Sequence, residues 1–213
     1  RTVAVVTVTR IHGYNAEIPL VFDNLPAGVR VADGSVIPAG AGFVRVIFEA
    51  AADAKPGGLE TTLYGTGMVG GVKTRRFAAG IQEDYSKNGD QVVRATKRQP
   101  GVAIGVSAPA DVVINAGKTA LQSGVNATID VPCTLVRHGF AGKLTLSVSG
   151  LPAGVTASGL ELAENATSGV VQLKIDAGAA AFSGVITLGA KVSVDELRWL
   201  EHCSQPISLV ITK

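Results

Sequence analysis

Apolar residues recur at every second position through most of this chain. Ile18, Leu20 and Phe22 share one parity, as do Val44, Val46 and Phe48, and Leu144, Leu146 and Val148. A period of two is the mark of a half-buried strand, because successive side chains point to opposite faces. Strands are expected over residues 2–10, 17–23, 43–48, 59–64, 127–137, 143–149, 170–175, 185–194 and 207–212, with shorter extended pieces at 29–31, 35–37, 110–115 and 160–162. Gly, Pro and Asn clusters punctuate these runs, as turns require. One stretch departs from the pattern. Asp195 to Glu201 reads as one or two helical turns opened by acidic residues. It carries Trp199, the single tryptophan, expected as a plug over one end of a sandwich.

The pattern occurs twice. Leu25-Pro26-Ala27-Gly28-Val29 returns as Leu151-Pro152-Ala153-Gly154-Val155, 126 residues later. His12-Gly13-Tyr14 stands where His138-Gly139-Phe140 stands, and the strand before each corner matches. The strand at 2–10 matches 127–137 if Ile11 is an insertion. Each pentapeptide reads as a tight corner, with Pro in the first central position of a β-turn and Gly at the end of a type I turn. Two copies are too few for a solenoid, so each should own a core. With 213 residues, two domains of about 100 fit. The expected division is 1–106 and 107–213, with a basic insert at 70–100 in the first. About seven short strands per unit point to an all-β chain of two tandem immunoglobulin-like (fibronectin III-like) β-sandwiches. In the second unit a strand near 110–115 precedes the strand at 127–137. In the first unit nothing precedes it, so the sequence reads as beginning one strand late. An exposed edge, or one filled by a strand from elsewhere, is the expectation.

Composition agrees with a strand-rich chain. It is 46% hydrophobic but only 5% aromatic, with 26 Gly and 9 Pro. The net charge of +2 is too small to imply nucleic acid or an anionic membrane surface. Its distribution is uneven, and residues 68–101 alone carry +4. Arg75, Arg76, Arg94, Lys97 and Arg98 are the candidate contact surface for a protein partner or a neighbouring domain. The runs 73–77 and 91–96 read as arms of a protruding hairpin, with Asn88-Gly89-Asp90 at its tip. Aromatic interleaving is thin there, so nucleic acid is not the expected partner. No uncharged apolar run reaches membrane-spanning length. Without an initiator Met or a signal pattern at Arg1, the chain reads as part of a larger polypeptide.

Other motifs carry little chemistry. Gly65-Thr66-Gly67-Met68-Val69-Gly70 fits G-x-G-x-x-G, but no amphipathic helix follows to receive a pyrophosphate. It reads as a flexible strand exit. No zinc, P-loop, nucleophile-elbow or calcium-loop motif occurs, and no cofactor or metal is implied. Asn126-Ala127-Thr128 and Asn165-Ala166-Thr167 match a glycosylation triplet that matters only in a eukaryotic secretory host. Cys133 shares the parity of Val131 and Leu135 and should point inward. Two readings stay open for it: a buried thiol, or a bridge to Cys203.

The order Val6-x-Val8-x-Arg10, His12-Gly13-Tyr14, Leu25-Pro26-Ala27-Gly28-Val29, an Ala-Gly turn and an apolar strand resembles tandem immunoglobulin-like repeats of large exported bacterial proteins. Those repeats lie beside protease or pre-peptidase C-terminal domains. The matching stretches run from Val6 to Gly67 and from Cys133 to Ala190. The second departs in its inward cysteine and its Trp199 segment. The resemblance implies a non-catalytic spacer or protein-contact role, in an extracellular, cell-surface or periplasmic setting. It carries no catalytic residues. Two alternatives from other classes are a carbohydrate-binding accessory module of a secreted hydrolase and a two-domain periplasmic chaperone. One Trp and three Tyr offer few stacking platforms for a sugar.

Overall fold

A computed structural model describes residues 1–88, 91–107, 111–193 and 199–213. Every regular element among them is a strand. The chain divides into two compact units, Ala4–Ala108 and Pro109–Lys213 with Arg1–Val3. We call them the N and C units.

The N unit holds β1 (Thr2–Thr7, apart from its first two residues, which are grouped with the C unit), β2 (Ile18–Asp23), β3 (Val29–Asp33), β4 (Val36–Ile37), β5 (Phe43–Ala50), β6 (Gly57–Val69), β7 (Val72–Phe77), β8 (Gly80–Asn88), β9 (Gln91–Gln99) and β10 (Val102–Val106). One sheet runs β1-β5-β3 and the other β10-β6-β2-β4, with β7 paired to the far end of β6. Phe22 of β2 meets Phe48 of β5 edge to face across the sandwich, 5.3 Å between ring centres. The C unit holds β11 (Val112–Ala116), β12 (Ala120–Gly124), β13 (Ala127–Arg137), β14 (Leu144–Ser149), β15 (Val155–Ser158), β16 (Glu161–Leu162), β17 (Ser168–Ile175), β18 (Phe182–Ser193), β19 (Trp199–Cys203) and β20 (Ile207–Thr212). Its sheets run β11-β13-β17-β15 and β12-β20-β18-β14-β16, with β19 on β18.

These are immunoglobulin-like sandwiches. The C unit has the A-B-E-D sheet facing G-F-C-C′. The segment β11–β12 serves both sheets. β11 pairs antiparallel with β13, and β12 pairs parallel with β20. The N unit has the same strand order, with β1, β5 and β3 in the places of β13, β17 and β15. It contains no strand equivalent to β11 or β12 among its described residues.

The difference shows in the cores. In the C unit twenty-two hydrophobic side chains among the described residues are buried in one cluster, Val112, Ile114 and Leu121 of β11–β12 among them. The connected core of the N unit has five among the described residues: Leu20, Ile37, Val46, Phe48 and Leu63. Its remaining inward residues, including Val6, Val8, Ile18, Val102 and Ile104, are only half-buried.

The repeated corner is a turn one residue later than expected. Val29 N–H donates to Pro26 O (2.9 Å) and Val155 N–H to Pro152 O (3.2 Å), so Ala and Gly are the central residues. Gly28 and Gly154 both have φ of 80°, which makes the turn type II. Proline therefore opens the turn, and glycine is fixed by the left-handed backbone. Space matters as well, since a Cβ on Gly154 would lie 3.1 Å from Ala179. Gly154→Ala is expected to cost the C unit about 1–2 kcal/mol from backbone handedness alone, read as a lowered urea midpoint.

Two further expectations are corrected. Residues 73–77 and 91–96 are not arms of one hairpin. β7 pairs with β6 around the two-residue turn Gly70-Gly71, and β8 pairs with β9. Two glycines with positive φ, 56° and 80°, suit that tight turn. The helical reading of 195–201 fails where it can be seen, because residues 199–203 form β19 against β18. A ready strand edge on β18 outweighs local helix preference. Residues 195–198 and the Trp199 side chain lie outside what the structure describes, as do Gly89 and Asp90.

Candidate functional site

The residues singled out for chemistry are dispersed. Cys133 is buried on β13 between β11 and β17. Burial pushes its thiol pKa up, partly offset by a hydrogen bond from the Gly169 backbone. Cys203 is buried on β19, in the opposite sheet. The two are not joined as a disulfide. Gly65 and Gly67 of the G-x-G-x-x-G stretch continue β6, which runs through to Val69, rather than leaving the sheet. Among the described residues no three His, Cys, Asp or Glu side chains converge as metal ligands. No helix of the described residues is long and apolar enough to cross a membrane.

The five basic residues fall on two separate sheets. Arg75 and Arg76 are on β7, and the Arg75 guanidinium lies 5.2 Å over the Tyr64 ring. Arg94, Lys97 and Arg98 are on β9 of the two-stranded β8–β9 ribbon. Arg94 pairs with Glu83, and Lys97 Nζ lies 3.5 Å from Asp84 Oδ2. Arg98 stands opposite Ile81 in the ribbon. The basic excess of this region is thus partly neutralised along the ribbon.

Two arginines that sequence reasoning noticed only as pattern have a clear structural task. Arg137 Nε donates to Ala166 O (2.8 Å), and its terminal nitrogens donate to Gly142 O (2.8 Å), Phe140 O (3.2 Å) and Ala163 O (3.4 Å). Arg10 does the same in the N unit, to Ala41 O (2.9 Å), Ala16 O (2.7 Å) and Pro38 O (2.8 Å). Each fork of donors ties two loops at one end of its sandwich. The matched pattern before each His-Gly turn was the signal for it.

The largest feature missed from sequence is an open, mainly apolar cleft of about 660 Å³ in the N unit. One wall is Val6 to Tyr14, the end of β1 and the turn after it. The floor and far wall come from Leu63 and Gly65 to Val69 of β6, Gly70 of the turn after it, and Thr74, Arg76 and Phe77 of β7. Glycine makes the floor low. Leu20 pairs with Gly65 where the C unit pairs Leu146 with Ala190. Two positions on, Gly67 stands where the C unit has Val192. Tyr14 uses that room, and a Cβ on Gly67 would run into its hydroxyl.

One titrating group affects the C unit. His202 on β19 has a buried Nε2 without a hydrogen-bond partner among the described residues. Its pKa is held below the ordinary 6.5, chiefly by burial, with Asp111 opposing. Below pH 6.5 the unfolded chain takes up a proton that the folded imidazole resists. This contribution is therefore unchanged above that pH and lost as pH falls through the window beneath it. The expected result is a urea midpoint for the C unit that drops between pH 7.5 and 5, and drops less in His202→Gln.

No protein-family model matches the chain, and neither does any curated protein sequence. Among solved structures, a protein of unknown function from Porphyromonas gingivalis W83 is similar at 15% identity and a TM-score of 0.29, over 95% of this chain and 90% of that one. BcpA, the major pilin subunit of Bacillus cereus, is similar at 13% identity and a TM-score of 0.31, over 99% of this chain and 69% of that one. Its D312A form gives 12% identity and a TM-score of 0.35 with the same shares covered. Likeness at this level carries no inference about what the chain does.

Proposed function

We propose that this chain is a non-catalytic spacing and protein-contact module of a larger exported or cell-surface bacterial protein, with the β8–β9 ribbon as its contact surface. The observation that carries this reading is the ribbon itself. It forms a two-stranded sheet of its own, and every described side chain on β9 is exposed, Val93 included. On β8, Ile81 is 63% exposed. An isolated two-stranded ribbon is marginal in water, and its exposed ion pairs add only about 0.2–1 kcal/mol each. A partner that covers Ile81 and meets Arg98, its neighbour across the ladder, supplies what the fold itself does not. The resemblance read from the corner and arginine patterns supports the exported setting.

The test compares the intact chain with one in which residues 80–99 are replaced by a short Gly-Ser linker. Both are used to recover proteins from the envelope fraction of the source organism. The proposal expects a partner that is retained by the intact chain and lost with the ribbon, while the thermal transitions of both units stay in place. Equal recovery by the two chains contradicts it.

A further inference from the structure

We infer that the β6–β7 arm of the N unit docks on an anionic lipid bilayer, its turn entering the headgroup layer and its cations meeting lipid phosphates. This goes beyond the contact role proposed above and uses none of the ribbon residues, so either can fail alone.

The arm is complete in itself. β6 and β7 pair without a break from Tyr64 opposite Phe77 to Val69 opposite Val72, and Gly70-Gly71 closes the end. Every residue from Gly67 to Val72 is uncharged and apolar. Met68, Val69 and Val72 around the turn are each more than half exposed, and so is Phe77 further back. By strand alternation Tyr64, Thr66, Met68, Lys73, Arg75 and Phe77 share one face. That face is ordered by its own contacts. The Arg75 guanidinium lies over the Tyr64 ring, and Tyr64 meets Phe77 edge to face at 5.7 Å. Tilting the arm onto this face brings apolar and cationic side chains to one surface together.

Charge decides what that surface is. The whole-chain value of +2 conceals a local imbalance: between Glu60 and Glu83 stand Lys73, Arg75 and Arg76 and no acidic residue. All three cations are exposed, and none has an ion pair among the described residues. On the ribbon, by contrast, Arg94 and Lys97 are answered by Glu83 and Asp84. An apolar turn backed by unanswered cations matches a surface that is anionic outside and hydrocarbon beneath. Interfacial binding of this kind scales with buried apolar area plus attraction to anionic lipid. The cations follow Val72 by one to four residues, about 3–13 Å along a strand, and long basic side chains can snorkel back to the phosphates. The peptide groups of Gly70 and Gly71 keep the turn in the wet headgroup layer, since unpaired backbone is costly in hydrocarbon. An acidic protein surface would answer the cations but leave the apolar turn in water.

The test is flotation of the full 213-residue chain with vesicles of phosphatidylcholine alone, or with about 30% phosphatidylglycerol added. Capture by the anionic vesicles is expected, at least about tenfold stronger than by phosphatidylcholine alone and weakened by salt. Met68→Cys carrying an environment-sensitive fluorophore should shift to the blue on those vesicles. Val69→Ser combined with Val72→Ser should weaken capture at least about tenfold, as should Lys73→Gln combined with Arg75→Gln. The urea midpoints of both units should hold in each variant, because all four side chains are exposed. Five outcomes overturn the assignment: no capture at millimolar lipid, equal capture by both vesicle types, full capture of either double variant, no fluorophore shift, or loss of capture when residues 80–99 are replaced instead. Binding to soluble polyglutamate as strong as to the vesicles, and kept by the valine variant, makes this a site for acidic protein and overturns it as well.

Discussion

Replacing Arg137 by alanine is expected to destabilise the C unit by about 3 kcal/mol, on the scale of lost hydrogen bonds to a charged group and carbonyls left without their donor. The guanidinium serves Ala166, Gly142, Phe140 and Ala163 at once, and its Cζ lies over the Phe140 ring, 5.8 Å from the centroid. Water can reach part of this site, because Arg137 is half-buried, and that keeps the loss below a full desolvation penalty. Arg137→Lys should recover little. A lysine brings the charge but a single point of donors, and it cannot span carbonyls from two loops. Thermal unfolding reads the effect as a fall in the C-unit midpoint on the order of 10–20 °C. An unchanged midpoint would mean that the loops hold themselves.

Ile114→Ala should cost about 3 kcal/mol, within the range measured for emptying a buried aliphatic site. Ile114 is fully buried, faces Leu135 across the β11–β13 ladder, and belongs to the main cluster. Its loss opens in the C unit the same kind of hollow that the N unit already has. Two readouts separate the effects: a lower urea midpoint for the C unit, and new binding of an apolar dye there. The N-unit transition should not move.

Much of this was legible in the residues. Period-two alternation at Leu144, Leu146 and Val148 located β14, and the repeated corner located the bend into β3 and β15. The sandwich class followed from strand number and spacing. Three things were not legible, each for a physical reason. The turn type at Pro26 depends on φ of Gly28, which composition does not report. The partner of residues 72–77 was misread because strand pairing is set by geometry across the sheet; the Gly70-Gly71 turn folds β7 onto β6 before β9 is reached. The segment at Trp199 has acidic residues at a helix-like start, yet 199–203 takes up the open edge of β18, where tertiary pairing outweighs propensity. The cleft was not legible, because Gly65 and Gly67 read as a phosphate motif or a loose exit, and only the ladder opposite Leu20 reveals them as its floor.

Native-state hydrogen exchange on the intact chain tests most directly whether two separate interiors exist, one closed and one open. Amides of β13, β17, β18 and β20 should share one high opening free energy, and those of β2, β5 and β6 a second, lower one. Ile114→Ala should shift the first set alone. A single opening free energy common to both sets, moved as a whole by that substitution, would contradict the account.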